Sequence, residues 1–250
     1  MSAPTTDEWV EISRFLFENQ FPQLSRSNRW ETYIRCKNLD NSGSLFFNYK
    51  KFFTIVLMAV VDAHFNFISI DVGSYGRGGD SNVFKECPFG TLLYDEKLNI
   101  PEPIILPNIN SSPQWPQPYE FVGYETFALH TNLLRAYPGR NLEYLTIGYR
   151  EQGAQLNVHL EYLPINGVYY IFTSIQVEPD FTDEIVKACC ILHNFVSKTD
   201  GINYEDSEVK SFDDIETQGG GIRSQGVGVR DYFANYFMGP EAVDFQNKVL

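Results

Sequence analysis

Phe52-Phe53-Thr54-Ile55-Val56-Leu57-Met58-Ala59-Val60-Val61-Asp62-Ala63-His64-Phe65-Asn66-Phe67-Ile68-Ser69-Ile70-Asp71-Val72 is the stretch that decides the fold. Its two runs, Phe52 to Val61 and Phe65 to Val72, are apolar, β-branched and aromatic, and Asp62-Ala63-His64 joins them. Such runs on either side of a short polar connection predict an antiparallel hairpin. The longest unbroken apolar run, Ile55 to Val61, falls far short of the roughly 18 residues a membrane span needs. Met1 is followed by polar residues with no signal-peptide core, so a soluble chain kept inside the cell is expected.

Upstream of the hairpin, Thr5 precedes Glu8 by three positions, ahead of Trp9, Ile12, Phe15 and Leu16 at helical spacing. That pattern predicts a capped amphipathic helix near 6–19, ended by Phe21-Pro22. Downstream, residues 73–79 read as a glycine-rich turn, and Asp80-Ser81 as the cap of a short helix through Val83, Phe84 and Cys87. Six prolines between 98 and 118 deny helix and central strand, which makes this a surface loop leading into a strand from Tyr119 to Gly123. Residues 150–163 favour helix over strand, and Val168 to Ile175 alternates like a strand. From Phe181 to Val196 a helix carries Ile185, Ala188, Cys189, Leu192 and Phe195 on one face. The expected class is therefore α/β, a mixed sheet flanked by helices.

The 250 residues suffice for one large domain. They carry 19 basic against 32 acidic side chains, a net charge of −13. Between Asp200 and Glu216 seven acids face one lysine, a net −6, which leaves −7 for the rest. Tight non-specific DNA binding is disfavoured by that balance, because affinity for nucleic acid grows with the phosphates that Lys and Arg neutralise. A basic stretch does run through Arg26, Arg29, Arg35, Lys37, Lys50 and Lys51, with solvated cations at strand ends set against a DNA-facing surface. The domain reading is 1–199 as the folded body, 200–229 as an acidic and then glycine-rich flexible segment, and 230–250 as a terminal helix and tail docking on the body. Cys36, Cys87, Cys189 and Cys190 lack metal spacing and read as reduced and structural.

Seven strings stand in order: Asn41 to Lys50; Val61-Asp62-Ala63-His64; Asp71 to Arg77; Asp80 to Phe84; Phe121-Val122-Gly123; Tyr137-Pro138-Gly139-Arg140; and Ala188 to Phe195. Together they resemble the DDE-type nuclease domain of PIF/Harbinger transposases and their domesticated derivatives, from about Thr5 to Leu250. The resemblance implies a ribonuclease H-like fold that cuts DNA with two divalent metals held by three carboxylates, since in-line displacement clamps the attacking and leaving oxygens with hard cations. Relatives of this kind carry a helix-turn-helix region upstream, and this chain begins at the last helix before the nuclease core, so that region is expected to have been trimmed or shed.

At each of the three implied carboxylate positions another residue stands. The first Asp belongs in a Gly-Ala-Ile-Asp-Gly string after a Phe-Pro pair, a place that falls here at Asn28, Arg29 or Trp30. The second belongs in Val-Gly-Asp, where this chain has Val122-Gly123-Tyr124. The third, a Glu in Val-Glu-x-x-Phe-Gly, meets His159 in Asn157-Val158-His159. A neutral phenol and an imidazole are poor ligands for Mg²⁺. A catalytically dead domain with no cofactor is expected, with Mg²⁺ required only if the chemistry persists. Glu125, Glu161 and Asp62 are the weak candidates for a shifted metal site, although Asp62 and Asp80 suit a hairpin turn and a helix cap. His159 with His130 or His193 lacks the ligand number of a zinc centre. The resemblance further implies a nuclear or chromatin setting and a Myb/SANT-like or MADF-like protein partner.

Overall fold

A computed structural model describes residues 3–18, 28–35, 45–47, 53–62, 66–75, 79–106, 115–123, 126–135, 164–165, 168–169, 177–200 and 224–238. Helix α1, Thr6–Glu18, opens with the expected capping box. The Glu8 N–H donates to Thr5 Oγ1 at 3.4 Å, and in return the Thr5 N–H and hydroxyl donate to Glu8 Oε2 at 2.7 and 3.0 Å, bonds that hold the Glu8 carboxyl below its ordinary pKa. Trp9 anchors the helix to the body: its indole N–H donates to the Leu98 carbonyl at 2.9 Å, and its ring meets Phe121 edge-on at 5.3 Å.

Three antiparallel strands follow, β1 (Asn28–Arg35), β2 (Thr54–Val61) and β3 (Phe67–Tyr75), in the order β1-β2-β3. The β2–β3 pair is the hairpin read from the sequence. Every residue of β2 is buried, and alternation divides its side chains between two cores. Val56, Met58 and Val60 join Trp9, Phe84 and Phe121 on one side. Ile55, Leu57, Ala59 and Val61 join Phe67, Val186 and Cys190 on the other. A strand covered on both faces reads as a continuous apolar run, and Ile55 to Val61 has that form.

The glycine-rich stretch expected as a turn begins inside β3 instead. Leu57 pairs with Val72 and Val56 with Ser74, so Gly73 is the extra residue of a bulge, and its φ of +103° is open to glycine at little cost. Two short helices come next, α2 (Asp80–Glu86) and α3 (Pro88–Tyr94). Asp80 is the first residue of α2, and Gly79 caps the helix without a side-chain bond, contrary to the cap expected of Asp80-Ser81. Pro88 enforces the break between the helices, since it restricts Cys87 to extended backbone and suits the first position of α3. Cys87 Sγ then accepts the Gly90 N–H at 3.3 Å.

Strands β4 (Phe121–Gly123) and β5 (Leu133–Arg135) pair in parallel, and β1 lies against β4. Among the described residues the fold is thus mixed α/β, with small sheets and helices packed on them. A short antiparallel pair, β6 (Pro164–Ile165) and β7 (Val168–Tyr169), includes the start of the strand expected over 168–175, and residues 170–175 and the helix expected over 150–163 lie outside the described residues.

Helix α4, Pro179–Asp200, packs on β3, but with a different face from the one the sequence suggested. Thr182, Val186, Cys190 and His193 are buried, while Phe181, Ala188, Leu192 and Phe195 are exposed. The helix is apolar on both faces, and periodicity alone cannot say which one the sheet takes. Helix α5, Ser224–Met238, packs near β5 and starts six residues earlier than Arg230, where the sequence placed its beginning. Gly226 and Gly228 therefore lie within it. Gly226 is buried, and a Cβ there would come within 2.9 Å of the His130 backbone, so this glycine permits close packing and is no part of a linker.

Candidate functional site

Of the positions that the resemblance implies, only the first, at residues 28–30, lies among the described residues, on β1, which packs against β4. In the register of β1, Asn28 pairs with Val61, Arg29 with Val60 and Trp30 with Ala59, close to where β2 turns into the hairpin. Strand β4 ends at Gly123, immediately before Tyr124, and is tied down at its start. The Phe121 N–H donates to the Asn132 carbonyl at 2.9 Å, Asn132 Nδ2 donates to the Tyr119 carbonyl at 2.8 Å, and the Asn132 N–H donates to His130 Nδ1 at 3.2 Å. Buried Arg135 donates through Nη1 to the Phe127 carbonyl at 3.1 Å. A Cβ on Gly123 would stand 3.0 Å from the Phe127 ring and 3.2 Å from Leu133, which leaves no room for a larger residue without a shift. The strand end is a rigid platform whose next residue is a phenol.

One acid beside this platform escaped the sequence reading. Glu120 immediately precedes β4 and is wholly buried, and desolvation pushes its carboxyl well above the usual carboxylate range. The signal was present in the alternation Glu120-Phe121-Val122-Gly123, an acid in step with apolar strand residues.

Asp62 closes the β2–β3 hairpin. Its Oδ1 accepts the Asn66 N–H at 2.8 Å and its Oδ2 accepts Asn66 Nδ2 at 2.9 Å, the turn role expected of it. Asp71 lies on β3 opposite Met58, half-buried. Burial raises its pKa, the nearby Asp183 carboxylate adds to the rise, and Lys187 opposes it. Lys187 donates to Asp183 at 2.8 Å and to Glu184 at 3.2 Å. His193 packs edge-on against Phe67 at 5.4 Å, and His130 likewise against Tyr94 at 5.5 Å, so these two histidines belong to different packing contacts. Cys87, Cys189 and Cys190 are free thiols, and burial with Cys189 alongside pushes Cys190 up to about 12. Arg29 and Arg35 sit toward opposite ends of β1, opposite Val60 and Thr54. Tyr124, Glu125, His159, Glu161, Arg26, Lys37, Lys50 and Lys51 lie outside the described residues. Among the described residues no three of His, Cys, Asp or Glu gather to hold a metal, and no helix is long and apolar enough to cross a membrane.

Residues 32–194 match the family described as DDE superfamily endonuclease, about two thirds of the chain. This chain belongs to that family. No curated protein and no solved structure matches it. The matched residues begin within β1 and reach Asn194 near the end of α4, so they take in both cores of the DDE domain except Trp9 of α1 and the helix it anchors. The divalent metals that such a domain implies call for anionic oxygen at the first position. The resemblance puts that position at residues 28–30 of β1, which precede the matched span and bring an amide, a guanidinium and an indole, a set without the anionic oxygen a hard cation takes.

Proposed function

We propose that this DDE domain is of the Harbinger type, has lost its nuclease chemistry, and persists as a protein-interaction module in a nuclear or chromatin complex. The observation that carries the reading is the segment Asn28-Arg29-Trp30 on β1, packed against β4, where the resemblance puts the first metal-binding carboxylate. Tyr124 and His159 at the other two positions extend it. Two divalent ions bridged by carboxylates are what activate the attacking water and neutralise the leaving oxygen, and a single missing ligand already uncouples the pair. A ribonuclease H-like arrangement is the companion proposal. It is supported by the succession β3-β2-β1-β4-β5, antiparallel through its first three strands and parallel in its last two, with β1 meeting β4 between them.

Retention of both cores around an altered site favours binding over turnover, and the net charge of −13 favours protein over bare nucleic acid as the ligand. By the same resemblance the partner is a Myb/SANT-like or MADF-like protein that supplies DNA contact. The test is plasmid nicking by the purified chain with Mg²⁺ or Mn²⁺, alongside calorimetric titration of each ion. No chelator-sensitive nicking and no stoichiometric ion uptake are expected. Cleavage that EDTA abolishes would restore the nuclease reading, with Glu125, Glu161 or Asp62 as the first residues to replace.

A further inference from the structure

Helix α4 buries one apolar face and leaves a second one bare. Phe181, Ile191, Leu192 and Phe195 are 61, 58, 47 and 64% exposed, whereas Val186, Cys190 and His193 on the opposite side are packed against the sheet. The bare face is ordered as a seam: Phe181, Glu184, Ala188, Ile191, Phe195 and Lys198 follow one another at alternating steps of three and four residues. That is the spacing by which one helix packs lengthwise on another, and its middle holds a small residue, Ala188, where two backbones can approach.

We infer that this face pairs with the same face of a second copy, the two α4 helices running antiparallel about a two-fold axis between Ala188 and Ile191. The charges select both the occupant and the direction. With a rise of about 1.5 Å per residue, Lys198 lies about 13 Å from that axis on one side, and Glu184 and Asp180 lie about 8 and 14 Å from it on the other. An antiparallel partner therefore brings Lys198 of each copy between Glu184 and Asp180 of its mate and sets Ala188 beside Ile191. A parallel pair would place acid on acid and lysine on lysine. The pairing is isologous, so it closes at two chains, and antiparallel helix dipoles add to it. Four large apolar side chains per copy make a modest interface, which puts dissociation in the micromolar range. This inference stands apart from the metal chemistry and holds whether or not nuclease activity survives.

Sedimentation velocity on the full chain from about 1 to 200 μM tests it, spanning the range in which such an interface dissociates. The mass is expected to rise with concentration from 28.7 kDa to twice that value. Ile191→Glu and Phe195→Glu alter exposed residues, so the fold should persist by circular dichroism while dimerisation weakens at least tenfold. Lys198→Glu should weaken it as well, and adding Asp180→Lys to Lys198→Glu should recover part of the loss, because one of the two acids that faced Lys198 is then reversed along with it. A single-chain mass at every concentration overturns the inference, whether a different protein or the chain's own acidic segment then covers the face. A dimer indifferent to Ile191→Glu, or a double reversal that recovers none of the loss, overturns it equally.

Discussion

Alanine at position 226 and alanine at position 228 are the same chemical change in the same helix, two residues apart, and α5 should answer them with different effects on stability. Each substitution removes the entropic cost of a helical glycine, worth about 1 kcal/mol. At Gly228 the new methyl meets nothing within 4 Å, so the variant should gain most of that amount. At Gly226 it would stand 2.9 Å from the carbonyl carbon and oxygen of His130 and 3.1 Å from its nitrogen, all main-chain atoms that no rotamer change can move aside. Overpacking of this kind costs about 1–3 kcal/mol. The propensity gain cancels between the two variants, so the gap between them reads the clash alone. At about 2–4 °C per kcal/mol for a chain of this size, the midpoints should differ by about 2–12 °C, Gly226→Ala being the lower. Parallel thermal melts followed by circular dichroism, with urea titrations as a check, give the answer. Equal stabilisation by both would mean that α5 does not rest on His130, and the docking of the C-terminal helix would have to be abandoned.

Asn194 clasps the main chain of Phe67, accepting its N–H at 2.7 Å and donating to its carbonyl at 2.8 Å, so Asn194→Ala should cost about 1–3 kcal/mol and show as a lower urea midpoint. A midpoint unchanged from wild type would remove this tie between α4 and β3. Glu120→Gln should flatten the dependence of stability on pH. The folded pKa of Glu120 is raised, so its contribution is complete below the ordinary glutamate range and is lost as pH rises through that range toward the raised value, whereas glutamine has no proton to lose. Wild-type and variant curves that superimpose between pH 4 and 8, a span around the ordinary glutamate value, would refute this. Trp9→Phe keeps an aromatic ring but loses the 2.9 Å bond to the Leu98 carbonyl, and a loss of about 1–2 kcal/mol is expected by chemical denaturation. A wild-type midpoint would show that the bond contributes nothing.

What the sequence disclosed was mostly local. The capping box at Thr5 and Glu8 and the hairpin closed by Asp62 depend on residues within a few positions of one another, and both appear as read. Strand β1 escaped because Asn28-Arg29-Trp30-Glu31-Thr32-Tyr33-Ile34-Arg35 carries little apolar signal, and its partners β2 and β4 lie far along the chain. Gly73 read as part of a turn and Gly226 as part of a flexible segment, yet one forms a bulge and the other admits a neighbouring backbone, uses that only tertiary context reveals. In α4 both faces obey the helical period, so choosing between them needed the position of β3. The candidate site was located through strings resembling a family, and its register on β1 came from the fold. Glu120 was missed because its place just before an apolar strand, though visible in the sequence, does not say how deeply it is sunk.

The strand at the centre carries a liability that its neighbours contain. Thr54-Ile55-Val56-Leu57-Met58-Ala59-Val60-Val61 has no charge, proline or glycine, the makeup of segments that stack into cross-β fibrils once exposed. On one side β1 supplies the hydrogen bonds that would otherwise recruit another chain, and β3 supplies them on the other. A fragment starting after residue 35 would bare that edge, so it should precipitate where the longer chain stays dispersed. Any expression boundary drawn at the family match, which opens at residue 32 partway along β1, would trim the guard strand itself.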